Sequence, residues 1–451
     1  MISPREKLMS LIRETPIPFI AVRDSISSMN IIDIGDIFDN LGKEQTIQVF
    51  RMLPKDIAAN VFAHIIPDKQ QIIVEALTDA EAGTIINGLF MDDAVDFIEE
   101  MPANVVTKVL SNVTPERRAT INQLLQYPED SIGTIMTTEF MAFGEELTVI
   151  EAFDRMRKAK VQGLHTCYVV RRDKKLVGYI SLKTLLLAKE HQRLGDLTRR
   201  HVISAQTHDD QEQAAALFRK YDLLSLPIVD SENRLVGIIT VDDVVEIVEE
   251  EATEDFEKMA GIMPIIDDGA PYLKTGVFRQ SIERIGWLLI LMFAAIFAEV
   301  VLESFEEAMT ALPALLPFIP MLMDTGGNAG VQTSSLIIRS MALDEISAKD
   351  LLKAWWKEIR IALLCGVGLS IANAIRVMIF GPRNALLTLV ISLTLLIVVV
   401  LAKTMGCLLP MAAKKLRVDP AVMAAPIIKT LLDVASLFMY FSIARLILPG
   451  L

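Results

Sequence analysis

The sequence predicts a multidomain chain: an α-helical N-terminal superhelix, a duplicated α/β unit, and a five-helix α transmembrane domain. Three observations carry this. Helix-start residues recur every 24 positions in the first 130 residues, a second repeat follows at an offset of 59, and long apolar runs fill the last third. Charge divides the chain in the same way. The 451 residues hold 57 Asp/Glu and 44 Lys/Arg, a formal charge of −13; positions 280–451 hold only 12 of those acids and 14 of the bases. An acidic half therefore precedes a nearly neutral, apolar one. That balance excludes a nucleic-acid binder working by counterion release. The three cysteines, two of them (Cys365, Cys407) in apolar runs, exclude a disulfide-stapled domain. Five scattered histidines without HExxH or CxxC spacing argue against zinc. No cleavable signal is expected from Met1-Ile2-Ser3-Pro4-Arg5, and no nucleophile–base set or P-loop points to an enzyme.

In the first region (1–128), Pro54, Thr78 and Pro102 lie 24 apart, as do Pro67, Met91 and Pro115. Each precedes polar or acidic residues and an apolar-periodic stretch, the pattern of a helix start. Short antiparallel helices in 24-residue pairs are expected over about 30–125, a small solenoid-like stack. Asp92 and Asp96, with Glu99 and Glu100, give one helix an acidic face; a merely solvated face is the plain alternative.

The second repeat pairs 164–170 with 223–229 and Leu176-Val177-Gly178-Tyr179-Ile180-Ser181 with Leu235-Val236-Gly237-Ile238-Ile239-Thr240. Helix, strand, charged turn, strand and helix form the unit, over 129–194 and 195–251. This resembles a tandem pair of CBS domains. Some such pairs hold the ribose of adenine nucleotides with Thr-x-x-Asp, and Thr240-Val241-Asp242-Asp243 matches, whereas Ser181-Leu182-Lys183-Thr184 lacks the acid. A helix cap explains Thr240 and Asp243 equally well. A run of nine acids in sixteen residues follows, from Asp242 and Asp243 through Glu246, Glu249, Glu250, Glu251, Glu254 and Asp255 to Glu257. These charges repel along any helix. Either the run is a solvated linker, or its face needs a divalent cation before packing on Asp92 and Asp96. A mainly helical connection over 252–280 would couple that face to the first span.

Five spans are expected at 285–302, 312–338, 361–380, 385–412 and 421–448. Loops between spans two and three and between four and five are basic, while the first loop carries Glu303, Glu306 and Glu307 and no base; the N-terminal half is therefore expected inside and the C-terminus outside. Asp433, with Lys429 four residues earlier on the same face, lies mid-span. It forms either an ion pair that glues helices or a site for a hydrated Mg²⁺, which is usually held by one or two carboxylates. In the second span, Pro313, Pro317 and Pro320 with Gly326, Gly327 and Gly330 suggest a broken helix. Asn328 and Gln332 offer amide oxygens there, and GxxxG packing is the alternative.

With these pieces placed, the chain resembles the MgtE family of magnesium channels over essentially its whole length. The residues that carry this are Pro320 through Gln332, Gly406-x-x-x-Pro410, Asp419-Pro420-Ala421, Pro426, Asp433 and Tyr440-Phe441. The resemblance implies a homodimer in the cytoplasmic (inner) membrane with a pore between subunits. Asp433 would recognise hydrated Mg²⁺, and Gly326, Gly327, Asn328, Gly330, Gln332, Pro426 and Lys429 would line the path. It further implies a connecting "plug" helix that shuts the pore when Mg²⁺ fills acidic sites at Asp92, Asp96, Glu212, Asp222, Asp243, Glu246, Glu251, Glu254 and Asp255. ATP at Thr240 and Asp243, on the CBS resemblance, stays an open alternative to the helix cap. Lys429 departs from the family, where a small or hydroxyl residue is more usual. The alternatives are transport of Co²⁺ or Mn²⁺, or a membrane-anchored CBS nucleotide sensor that conducts nothing.

Overall fold

The computed structural model describes residues 4–14, 17–128, 130–159, 165–263, 272–273, 275–343, 345–380, 384–416, 418–423 and 425–448. Leu164 of the second repeat, Arg383 and Arg417 of the loops, and positions 264–271 and 274 of the connecting segment lie outside them. The chain forms two compact units, Met1–Glu249 and Glu250–Leu451.

In the first unit the 24-residue period appears directly as helices. Pro67, Met91 and Pro115 each open one (Pro67–Ala76, Met91–Glu99, Pro115–Leu124), and Thr78 and Pro102 cap the two between (Asp79–Gly88, Ala103–Ser111). Thr78 and Glu81 close a reciprocal capping box. Each helix buries one apolar face, and edge-to-face contacts link Phe38, Phe50, Phe62 and Phe97 through the stack.

The duplication at offset 59 is equally literal. Strands β1 (Ala142–Gly144), β2 (Thr166–Val170) and β3 (Leu176–Ser181) form one sheet, and β4 (Ala205–Gln206), β5 (Ser225–Val229) and β6 (Leu235–Thr240) form the other. In each, the first pair is parallel and the second antiparallel, with the register shift at Val169/Val170 and at Ile228/Val229. The core of the helical stack runs without a break into the second α/β unit through Ile132, Met136, Phe218, Ile239, Val244 and Ile247, whereas the first α/β unit has a core of its own.

The helix after β6 runs Val241–Ala260. It therefore continues the second α/β unit and does not extend as one helix across 252–280. Gly261 stops it: with φ of +73° it takes the left-handed conformation, and Ile262 N–H donates to the Glu257 carbonyl (2.9 Å). A side chain at Gly261 would also collide with Trp287.

Among the described residues of the second unit, four helices are long and apolar enough to cross a membrane: Val277–Ser304, Ala348–Phe380, Ala385–Lys415 and Pro426–Ile447. The expected second span is different. Pro313 and Pro317 lie in a 3₁₀ turn (Pro313–Phe318) and Pro320 in the first turn of a continuous helix, Ile319–Ala342. The glycines do not break it. Gly326 packs on Val398 and Ser436, Gly330 on Leu432 and Ile428, and Gly406 meets the Gly330 carbonyl, so the small residues allow close helix approach. Hydroxyl and amide side chains keep this helix out of the apolar four.

Three of these helices are joined by a buried polar link. Thr333 donates to Glu358 Oε2 (3.1 Å), Lys403 Nζ donates to Thr333 Oγ1 (3.2 Å), and Lys403 and Glu358 lie 3.9 Å apart, all three buried. Removing one partner of a buried pair strands the other charge. Glu358→Ala is expected to cost about 3 kcal/mol, seen as a lower unfolding midpoint of the detergent-solubilised chain; an unchanged midpoint would show that Thr333 alone suffices for Lys403.

Candidate metal sites

The acidic face of the first unit is assembled by neighbours that carry no motif. Glu139 accepts the N–H of Met91 at the start of the Met91–Glu99 helix (3.0 Å). Arg117 then bridges Glu139 (3.2 Å) and the carbonyls of Leu89 and Phe90 (2.9 and 3.1 Å). This fixes the helix end on which Asp92 sits. Asp92 is buried, and its Oδ1 accepts no hydrogen bond among the described residues. Burial, reinforced by the charges of Asp93 and Asp243, pushes its carboxyl up to about 8. Asp243 begins the Val241–Ala260 helix and accepts from Thr240 N–H (3.2 Å) and Oγ1 (2.6 Å), a closed cap. Burial nevertheless raises its carboxyl to about 6, against those hydrogen bonds. Glu246, one turn on, is also raised, by burial first, and it lies within electrostatic reach of His64 and Asp93.

The structure thus sets Asp243 within electrostatic reach of both Asp92 and Glu246. Asp96 is exposed one turn beyond Asp92. Glu212 and Asp222 are exposed near opposite ends of the Gln211–Tyr221 helix, about 15 Å apart by its rise, and Asp222 ends it with φ of +50°. Among the described residues no group of three or more His, Cys, Asp or Glu could hold a metal with protein ligands alone. A pair of hard oxygen donors with an unmet acceptor does suit a small divalent cation that keeps most of its water.

Further along the same helix, Glu254 and Asp255 meet a cation already supplied by the chain. Lys258 Nζ lies 2.6 Å from Glu254 Oε1 and donates to Asp419 Oδ2 (2.8 Å). Burial would lower the Lys258 ammonium, but the hydrogen bonds to Asp419 and Glu254 outweigh it and hold it above its ordinary value. Asp255 is raised by burial, then by Asp419. Lys258 stands one residue past the nine-acid run and is legible there. The roles of Glu139 and Arg117 have no local signal.

In the membrane unit, Asp324, Asn328 and Gln332 stand four apart on the Ile319–Ala342 helix, and all three are exposed while Gly326, Gly327 and Gly330 are buried against neighbours. Asn328 donates to Asp324 Oδ2 (3.1 Å), and Lys429 Nζ lies 4.0 Å from Asp324 Oδ1. The Lys429 stem lies against Gly327. One turn on, Asp433 is half-buried; its Oδ1 accepts no hydrogen bond among the described residues, and it feels the charges of Lys429 and Asp324. Pro426 precedes them, its carbonyl accepting from Thr430 (3.0 Å).

Comparison with known proteins agrees with this layout. The family description "Divalent cation transporter" matches residues 319–443, "MgtE intracellular N domain" matches 29–130, and "CBS domain" matches 132–191 and 194–250. The magnesium transporter MgtE of Thermus thermophilus is 34% identical over 95% of this chain and 96% of its own length. That of Bacillus subtilis is 31% identical over 95% and 94%. The cytosolic domain of the Mg²⁺ channel MgtE, solved in complex with ATP, is 31% identical with a TM-score of 0.51, covering 54% of this chain and 99% of that domain. The soluble part of a magnesium transporter aligns with a TM-score of 0.50 at 27% identity, covering 55% and 98%. These relatives are transporters, not enzymes, and with four apolar helices of spanning length the chain is a multi-pass membrane protein that belongs to the MgtE family of magnesium transporters.

Proposed function

We propose that the protein imports Mg²⁺ across the cytoplasmic membrane as a homodimer, the ion passing between two copies of the membrane unit. One observation carries this: a stripe of Asp324, Asn328 and Gln332 is exposed on a membrane-unit helix beside Asp433 and its unmet carboxylate oxygen. Polar groups facing lipid are costly, so such a stripe belongs against water or a second chain. Asp433 would recognise the hydrated ion, with Asn328, Gln332 and Pro426 lining its route. A single carboxylate doubled by two-fold symmetry suits an ion that keeps its waters. The N-terminal unit lies in the cytoplasm and the C-terminus outside.

Gating follows from the acids of the first unit. Asp92, Asp243 and Glu246 repel while ionised, and Mg²⁺ between them favours the packed arrangement; a ligand shifts an equilibrium only through such a preference. High internal Mg²⁺ would thereby close the path through the helix that carries Asp243. ATP, present with the solved MgtE cytosolic domain, would reach Thr240 and Asp243 only after their mutual hydrogen bonds opened.

Three outcomes are expected. In liposomes, Asp433→Asn should reduce Mg²⁺ flux to background, and wild-type flux would remove the pore assignment. Asp92→Asn with Asp243→Asn should leave flux high at millimolar internal Mg²⁺; normal closure would remove the sensor. The third concerns pH. Both carboxyls are raised in the folded chain, so the fold holds more protons than the unfolded chain between about 4 and about 8, and its stability without Mg²⁺ falls as pH rises through that window. The rise in unfolding midpoint on adding Mg²⁺ should therefore be larger at pH 8 than at pH 6, and equal rises would contradict it.

A further inference from the structure

Lys429 places an ammonium within electrostatic reach of the proposed ion position at Asp433. Its stem lies along Gly327, a position where a side-chain carbon would come 3.0 Å from Lys429 Cγ, so the glycine leaves room for the lysine to cross between helices. Its Nζ reaches Asp324 Oδ1 on the Ile319–Ala342 helix at 4.0 Å, while Asp433 lies one turn ahead on its own helix. Asp324 is held toward it by Asn328, which occupies the other carboxylate oxygen (3.1 Å). Lys429 thus pairs with Asp324 across two helices and acts on Asp433 through its charge, and Lys429 and Asp324 are about half and two-thirds exposed, at 52% and 67%. A buried structural pair would be shut away from ions; this one is open to them.

We propose that Lys429 sets the affinity of the ion site, as a tethered cation that competes with the transported divalent ion for Asp324 and Asp433. It rests on the reading that Asp433 lies in the ion path. The ammonium is a compact, strongly hydrated point charge on a flexible stem, so it can yield its place when a doubly charged ion arrives. It lowers the net negative charge at the site and therefore raises the Mg²⁺ concentration needed to fill it. A weakly binding site releases its ion readily, which is the condition for conduction.

The test is Mg²⁺ uptake by the full-length protein in liposomes, read as the half-saturating Mg²⁺ concentration. Lys429→Met keeps the length of the stem and removes the charge. It is expected to lower half-saturation about tenfold at low salt, with the gap to wild type narrowing at about 1 M ionic strength, where charges are screened within about 3 Å. Lys429→Arg should stay near wild type. Lys429→Gln, expected to shift in the same direction as Met, serves if Lys429→Met fails to insert. Half-saturation within about twofold of wild type in both neutral variants, even with an altered unfolding midpoint, would reduce the lysine to helix glue and overturn the proposal. An arginine variant that behaves like the methionine one would overturn it too. Failure of the underlying reading is seen separately, as undiminished flux in Asp433→Asn.

Discussion

A carboxylate that loses water without gaining a partner is costly, and the chain treats its carboxylates in three distinct ways. At Asp433 and Asp92 an oxygen has no hydrogen-bond donor among the described residues. At Asp243 the helix cap supplies two donors, yet the carboxyl stays raised. At Glu254, Glu358 and Asp324 a lysine is close by. The first group is where an external cation has most to contribute, because protein geometry has left the charge unmet.

The three lysines differ in how far water reaches them. Lys403 is buried and tied to Thr333 and Glu358, so its role is to join helices. Lys258 is partly exposed and clamps the end of the Val241–Ala260 helix to Asp419, next to the glycine that stops that helix. Lys429 is the most exposed of the three and faces the polar stripe. Exposure thus orders them from scaffold to clamp to competitor for an ion.

Much of the fold can be read from spacing alone. The 24-residue period places helix starts at Pro67, Met91 and Pro115, and the offset of 59 matches β2 and β3 to β5 and β6 residue for residue. Both succeed because repeats restate the same local physics several times. The connecting helix departs from expectation where one residue outweighs composition: an acid-rich, helix-favouring stretch predicts continuation, and Gly261 ends it. The second span departs for a different reason, because proline at a first turn and glycine at a helix crossing are compatible with an unbroken helix. At the candidate sites, Asp92, Asp243 and Glu246 are legible as acids but their proximity is not. Glu139 and Arg117, which orient that helix, act across 22 positions and leave no periodic trace.

Under the proposed gating, protons and Mg²⁺ contend for the same buried carboxylates, Asp92 and Asp243. Calorimetric titration of Mg²⁺ into the full-length protein at pH 7, repeated in buffers of different ionisation enthalpy, counts the protons released on binding. With Asp92 raised to about 8 and Asp243 to about 6, the account predicts release of about one proton per chain, abolished in Asp92→Asn. Binding with no proton release, or release unchanged in that variant, would contradict it.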